Sequence, residues 1–220
     1  MEWFSRSYRK LNLIAKKPSK DVIRLPDDEQ GYALDFQHSR YTATDIIFMG
    51  MPGHGYVCVT FRTSSDNEQT LITNYGSANP TYPFNEISVS SMKILIRGEV
   101  AGKMTFVPIR HSCREWTTLF IDWITKPDKI HGSYIINNDE KSTGTFTFDM
   151  FWECTNAIDV GGRDGNTHFL TGAISALEIY SSLDDYSGGG IPRALRNLII
   201  KNQLIGDDDD KPPAKKKKCI

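Results

Sequence analysis

Two carboxylates, Asp149 and Glu153, stand four residues apart in the run TFTFDMFWE. On a regular strand, even spacing puts both on one face. A carboxylate pair on one face is the chemistry of glycoside hydrolysis, with one group as acid and the other as base or nucleophile. The competing reading is a pair of partly solvated surface acids. Asp122, the other strand acid of note, has no glutamate two positions before it. Neither a Gly-x-Ser-x-Gly elbow nor a His-Glu-x-x-His motif occurs. The five histidines are scattered, mostly through loop-like stretches. GGRDGN at 161–166 holds glycines but follows a strand without opening a helix, which argues against a phosphate loop. The chain reads as a non-enzyme.

Binding chemistry is better represented. Tyr75, Tyr82 and Phe84 lie in and beside the loop GSANPTYPFN at 76–85. Aromatic faces of this kind stack on sugars or anchor protein partners. Equally, Pro80, Tyr82, Pro83 and Phe84 can fold the loop onto the body of the domain. Arg163, Asp164 and Asn166 in GGRDGN complete the candidate ligand-binding set. A second glycine-rich loop, DDYSGGG, spans 184–190.

The elements that must hold these residues are strands. Short runs rich in Val, Ile, Thr, Tyr and Phe recur from residue 21 to residue 180. In TFTFDMF, alternation sends Phe146 and Phe148 one way and Thr145, Thr147 and Asp149 the other. Turn signals separate the runs: PGHG at 52–55, KPDK at 126–129, NNDEKSTG at 137–144 and GGRDGN. Such spacing predicts an all-β sandwich or barrel. IPRALRNLIIKNQLI, 191–205, follows three glycines and carries an apolar stripe with Pro192 in its first turn, which predicts one short helix. The tail GDDDDKPPAKKKKCI, 206–220, has opposite charge blocks around Pro-Pro and predicts disorder. Residues 1–18 read as an N-terminal arm, and 19–205 as one domain.

Composition narrows the partners. A net charge of −1, with Lys and Arg spread along the chain, gives no basic field for nucleic acid. No run approaches the roughly 18 apolar residues of a membrane span. The N-terminal MEWFSRSYRKLNLIAKK lacks the apolar stretch of a signal peptide. Cys58 reads as a buried thiol, Cys113 and Cys154 as a possible pair, and no Cys/His spacing suggests zinc.

Five stretches together resemble the laminin G domain and, more widely, the pentraxins and the concanavalin A-like lectin/glucanase superfamily. VTFRTSSDNEQTLITNYG at 59–76 is similar to the laminin G pattern of a strand ending Phe-Arg-Thr, a turn and a second strand. GYALDF at 31–36 resembles the opening strand, EWTTLFIDWI at 115–124 the Trp-His strand, AIDVGG at 157–162 the Ile-Gly-Gly turn, and FLTGAISALEIYSS at 169–182 the closing strand. Thr117 stands in place of the His, and Ala173 in place of a common Cys.

The resemblance implies a jelly-roll β-sandwich of two antiparallel sheets. It implies a non-catalytic module that binds glycan or protein ligands at a loop-lined rim, extracellular or at the cell surface, within a longer chain. It implies calcium at the rim, near Asn74 and Glu153 by position, with Asn74 in place of an Asp. A structural or assembly domain, as a homo-oligomer, is the alternative function, and a glycan-cleaving enzyme using Asp149 and Glu153 is the further one. Gly161 and Gly162 suit positive φ in a tight turn, and Trp116 and Phe120 read as core between the sheets.

Overall fold

Strands form in the computed structural model where β-branched and aromatic residues alternate with polar ones. The structure describes residues 10–14, 22–24, 32–37, 40–44, 53–75, 84–100, 103–126, 129–149, 157–163 and 168–182. Fourteen strands and no helix lie among them. The segment 191–205, read as a helix, and the tail 206–220 fall outside the described residues.

The larger sheet has eight antiparallel strands. Its order is β12 (Asp139–Asp149), β11 (Lys129–Ile136), β10 (Thr117–Lys126), β5 (Gly53–Thr63), β14 (Thr171–Ser182), β3 (Tyr32–Gln37) and β2 (Val22–Arg24), and β1 (Lys10–Ile14) also pairs with β14. So part of the stretch read as an arm is a strand of the sandwich. The smaller sheet has six strands, in the order β4 (Tyr41–Thr44), β13 (Ala157–Val160), β6 (Gln69–Thr73), β7 (Phe84–Ser90), β8 (Lys93–Val100) and β9 (Lys103–Arg110).

The two inner faces meet in one apolar core. Val57, Val59 and Phe61 of β5, Leu119, Ile121 and Trp123 of β10, and Ile87, Val89, Ile94 and Ile96 of β7 and β8 all belong to it. Phe146 and Phe148 are in it too, side by side at 4.9 Å, as their alternation predicts. Strict alternation would send Ile174 and Leu177 of β14 to opposite faces. A bulge between Ile174 and Ala176 inserts one residue, and both enter the core.

Phe120 is buried, but not between the sheets. It lies with Tyr56, Cys58 and Ile135 in a second cluster on the outer face of the larger sheet. Trp116 is half-buried beside Arg62 rather than in the core. Parity along a strand separates two faces without saying which faces inward, and here the outer face is buried as well.

Two turns differ in detail from their sequence reading. Asn137 and Asn138 both adopt positive φ, at 50° and 55°, so a two-residue turn joins β11 to β12, and 139–144 is strand. Gly161 has φ of 80° as expected. Gly162 serves differently: a Cβ there would lie 2.9 Å from the Phe169 ring. Cys113 is a free, buried thiol rather than half of a disulfide.

Candidate functional site

Two polar regions stand out, on the outer faces of the two sheets. The first lies over β7 and β8. Register places Glu86 directly opposite Arg97, and the two side chains form an ion pair. Arg163, just after β13, reaches the same carboxylate with Nε and, at 2.9 Å, with Nη2. Arg97 Nη1 continues to Glu68 at 3.0 Å, and Lys93 Nζ follows at 3.4 Å. The result is a chain of alternating charge, Arg163–Glu86–Arg97–Glu68–Lys93. Glu86 is fully buried, at 0% exposure. Burial works against the charge on Arg163, but the hydrogen bond and charge of Glu86 outweigh it and raise its pKa.

Three residues of the expected ligand-binding set belong to this region. The Arg163 guanidinium lies 5.4 Å from the Tyr75 ring centroid and 5.5 Å from that of Phe84. The two rings meet edge to face at 5.0 Å. Phe84 is buried, and Tyr75 and Arg163 are half-buried. These contacts are mutual, so the cluster ties the start of β7 to the turn after β13. Tyr82, Asp164 and Asn166 lie outside the described residues.

Asn74 is buried, and its Oδ1 accepts the backbone N–H of Asn85 at 2.6 Å. Calcium takes about six to eight oxygen ligands. Asn74 offers one neutral oxygen, already engaged, and Glu153 lies outside the described residues. Among the described residues no group of three or more His, Cys, Asp or Glu side chains converges. The described residues do not by themselves fit a calcium cage. Asp149 is half-exposed and bonded to Lys129 at 2.9 Å; that hydrogen bond and charge hold its pKa below the usual carboxylate value.

The second region is a cavity of about 370 Å³ on the outer face of the larger sheet. Its lining is Ala33, Asp35, Arg62, Thr63, Ser64, Arg114, Gly172 and Ala173. Alternation explains which side chains face it. Leu34 and Phe36 enter the core, so Ala33 and Asp35 face out; Phe61 enters the core, so Arg62 faces out. Register then sets the row Asp35–Ala173–Arg62 across β3, β14 and β5. Two strand spacings separate the outer members, about 9.5 Å. Small residues between two long ones leave the depression. Gly172 is required beside it, because a Cβ there would lie 2.2 Å from the Arg62 carbonyl oxygen.

Loops complete the cavity. The Thr63 N–H donates to the Cys113 carbonyl at 2.8 Å, the Cys113 N–H to Ser91, also at 2.8 Å, and the Ser91 N–H to Ser65 at 2.6 Å. The Thr63 hydroxyl donates to the Thr171 carbonyl at 2.8 Å. These bonds carry the 111–116 loop to the end of β5, with Arg114 at the cavity. Arg114 Nη2 donates to Asp66 Oδ1 at 3.3 Å. The Ser91 hydroxyl bonds to the same oxygen, and this bond first, then the Arg114 charge, lowers the Asp66 pKa. The Arg62 guanidinium lies 4.9 Å over the Trp116 ring.

Sequence reasoning did not find this cavity. GYALDF and the Phe-Arg-Thr strand drew notice as signatures of a fold, and Trp116 as core. The signal available was parity: Ala33, Asp35 and Arg62 sit opposite core positions. The register that aligns them was not readable.

Two antiparallel sheets packed face to face around one core make a β-sandwich. No protein-family model matches the chain, and no curated protein matches it in sequence. Solved structures do match in shape. A mutant of HCR/D aligns with a TM-score of 0.56 at 12% identity, over 90% of this chain and 47% of that one. Domains LG4-5 of the mouse laminin alpha1 chain align at 0.50 and 9% identity, over 68% and 43%. A mutant NanB sialidase from Streptococcus pneumoniae aligns at 0.50 and 15% identity, over 71% and 26%. The chain therefore spans less than half of each of these solved chains. At such identities the likeness is one of fold, and in that respect the resemblance read from the sequence holds.

Proposed function

We propose that this chain is a non-catalytic recognition module that binds a glycan or protein ligand in the Arg62 cavity, at the strand-end rim of the larger sheet. The observation that carries the reading is the cavity itself. It combines a small-residue floor with convergent polar groups of both signs, the usual make-up of a ligand site. Asp149 supports the non-catalytic reading. A general acid at neutral pH needs a raised pKa, and that of Asp149 is lowered by Lys129. The domain works as one module of a longer chain, as the laminin alpha1 domains of similar fold do, and its place is extracellular or at the cell surface.

The test is binding of the purified full chain to glycan and extracellular-protein arrays, repeated with Ala173→Leu, which fills the cavity floor. Binding that the variant abolishes supports the reading. Ligand turnover, or binding indifferent to the variant, overturns it. Calcium is a separate part of the proposal, resting on Asn74 and Glu153. A melting temperature that rises with calcium and returns with a chelator supports the metal, and an unchanged one removes it.

A further inference from the structure

We infer that the free edge of β9 is a second docking surface, which takes an extended, acid-bearing segment of a partner protein as an added strand. It lies on the smaller sheet, apart from the Arg62 cavity, and does not depend on it.

The large apolar side chains that stand exposed among the described residues are Met92, Met104 and Phe106. Two of them are on β9, the last strand of the smaller sheet, which among the described residues pairs with β8 alone. Parity assigns their face. Ile109 is in the core and Val107 packs against it, so Met104, Phe106, Pro108 and Arg110 point outward. Proline is tolerated in a sheet where its missing N–H faces away from the ladder. Pro108 therefore turns toward the free edge, and the same alternation turns the backbone N–H and C=O groups of Met104 and Phe106 there too. Unpaired backbone groups thus stand beside exposed apolar side chains, the two things an added strand uses. Met92, in the turn before β8, extends the patch: its carbonyl accepts from the His111 N–H at 3.2 Å, just past the end of β9. Methionines suit such a surface because their side chains adapt to what they meet.

Lysine and proline on an edge strand guard it against unwanted pairing. That accounts for Lys103 and Pro108. It does not account for Phe106, 58% exposed, where a guarded edge would be polar. The guard works best against a second copy of this chain. A two-fold pairing of β9 with itself would bring together two copies each of Pro108, Lys103 and Arg110, and β9 holds no acid to meet them.

Charge then selects the partner. Register sets Arg110 opposite Lys93, and like charges directly opposite repel. Glu68, at 3.4 Å, serves Lys93; no described acid forms an ion pair with Arg110. The other cations here are matched. Arg97 lies between Glu68 and Glu86, and Lys103 acts on Asp149. Glu99 is opposite Met104, about 20 Å along the strand from Arg110, well beyond the roughly 8 Å screening length of physiological salt. A carboxylate on the incoming strand beside Arg110 would meet an unmatched cation. The partner segment is therefore acidic at that end and apolar alongside Phe106 and Met104.

The test is NMR titration of the full chain with synthetic peptides of about six residues, a common strand length. One alternates Val with Thr between terminal glutamates. A second has lysines in place of the glutamates. A third and a fourth are the glutamate peptide with alternate amides N-methylated, in the two possible phases. The expected result is amide shifts centred on 104–110, lysine-peptide binding at least tenfold weaker, and no binding of one N-methylated phase. Arg110→Glu should reverse the preference between glutamate and lysine peptides. Phe106→Ser should weaken the glutamate peptide at least tenfold. Both side chains are exposed, so these variants fold. No shift in β9 at millimolar peptide overturns the inference. So does binding indifferent to N-methylation, which is apolar adhesion rather than strand pairing. Equal binding of glutamate and lysine peptides overturns the acidic partner. Peptide binding that Ala173→Leu abolishes assigns it to the cavity instead, and a sedimenting dimer that Phe106→Ser dissociates assigns the edge to a second copy; either overturns the inference.

Discussion

The outer face of the smaller sheet carries Glu86 between Arg97 and Arg163, and that of the larger sheet carries Asp35 near Arg62 and Arg114. Both regions use two arginines and an acid, and both have an aromatic ring against a guanidinium. In the first, Glu86 is fully buried, and the fork of Arg163 closes on it with Tyr75 and Phe84 packed alongside. In the second, Ala173 stands between the acid and the arginine in register, and a cavity opens there. The same residue types build a clamp where register makes them touch and an open cavity where register separates them. Residue type alone therefore does not decide between a closed cluster and an open cavity; the spacing across strands does.

Breaking the clamp should have the largest effect. Glu86→Ala leaves two arginines without their shared carboxylate in a buried setting. Removing one partner of a buried ion pair costs about 3–5 kcal/mol, so urea midpoints should fall steeply. Ligand binding by whatever protein remains folded should be unchanged. A mild loss of stability would show that solvent reaches Arg97 and Arg163, and that the clamp is itself open.

Adjacent residues of β14 offer a sharper contrast. Gly172→Ala drives a Cβ to 2.2 Å from the Arg62 carbonyl oxygen, a backbone atom with little room to move. Overpacking of this kind costs roughly 1–3 kcal/mol. Ala173→Leu points into the cavity instead, so melting should barely change while ligand affinity drops by tenfold or more. If both variants melted alike, the depression would not be open as described.

A third kind of polar group is buried and uncharged. Burial, then Glu178, raises the pKa of both Tyr56 and Cys58, and burial alone pushes Cys113 from 9.0 up to about 12. For each group the folded state keeps its proton after the unfolded chain has lost it. Stability is thus intact below pH 9 and declines as pH rises beyond the ordinary thiol value toward the raised one. The slope is at most about 1.4 kcal/mol per pH unit for each group. Melting temperatures between pH 8 and 11 should show the decline, and Cys113→Ala should make it shallower, leaving the part due to Tyr56 and Cys58.

The sequence revealed layers better than sites. Phe146, Phe148 and the Gly161 turn were legible because each depends on local rules: period-two alternation and the steric freedom of glycine. The face of Phe120 was not, since alternation is symmetric and both faces of β10 are buried. The turn at 137–144 looked long because its polar residues resemble a loop, whereas Asn137 and Asn138 alone make the reversal. Tyr75, Phe84 and Arg163 were picked out as a binding set, and the fold does bring them together, but around Glu86. That acid lies 77 residues before Arg163, and no local pattern joins them. Asp35 and Arg62 became neighbours of one cavity through Ala173, more than a hundred residues further on. Register across three strands carries that information.

The smallest effect concerns Asp66, at the edge of the cavity. It accepts from Arg114 at 3.3 Å, with both side chains well exposed, and from the Ser91 hydroxyl. Exposed ion pairs contribute little to stability, so Asp66→Ala should leave the melting temperature unchanged within error. Its effect on binding has two opposed parts. Losing the acid removes a competitor for Arg114 and makes the rim more positive, which favours an anion. Losing the hydrogen bond frees a long side chain that must then be ordered by the ligand, which disfavours it. If Asp66 positions Arg114, affinity for a ligand of the cavity should fall about two- to fivefold, and added salt should not remove the difference, because lost ordering is not screened. If Asp66 only competes for charge, affinity should rise, and salt should erase the gain. Titrations at two salt concentrations separate the cases, and with them a cavity whose arginines are held ready from one that must assemble them.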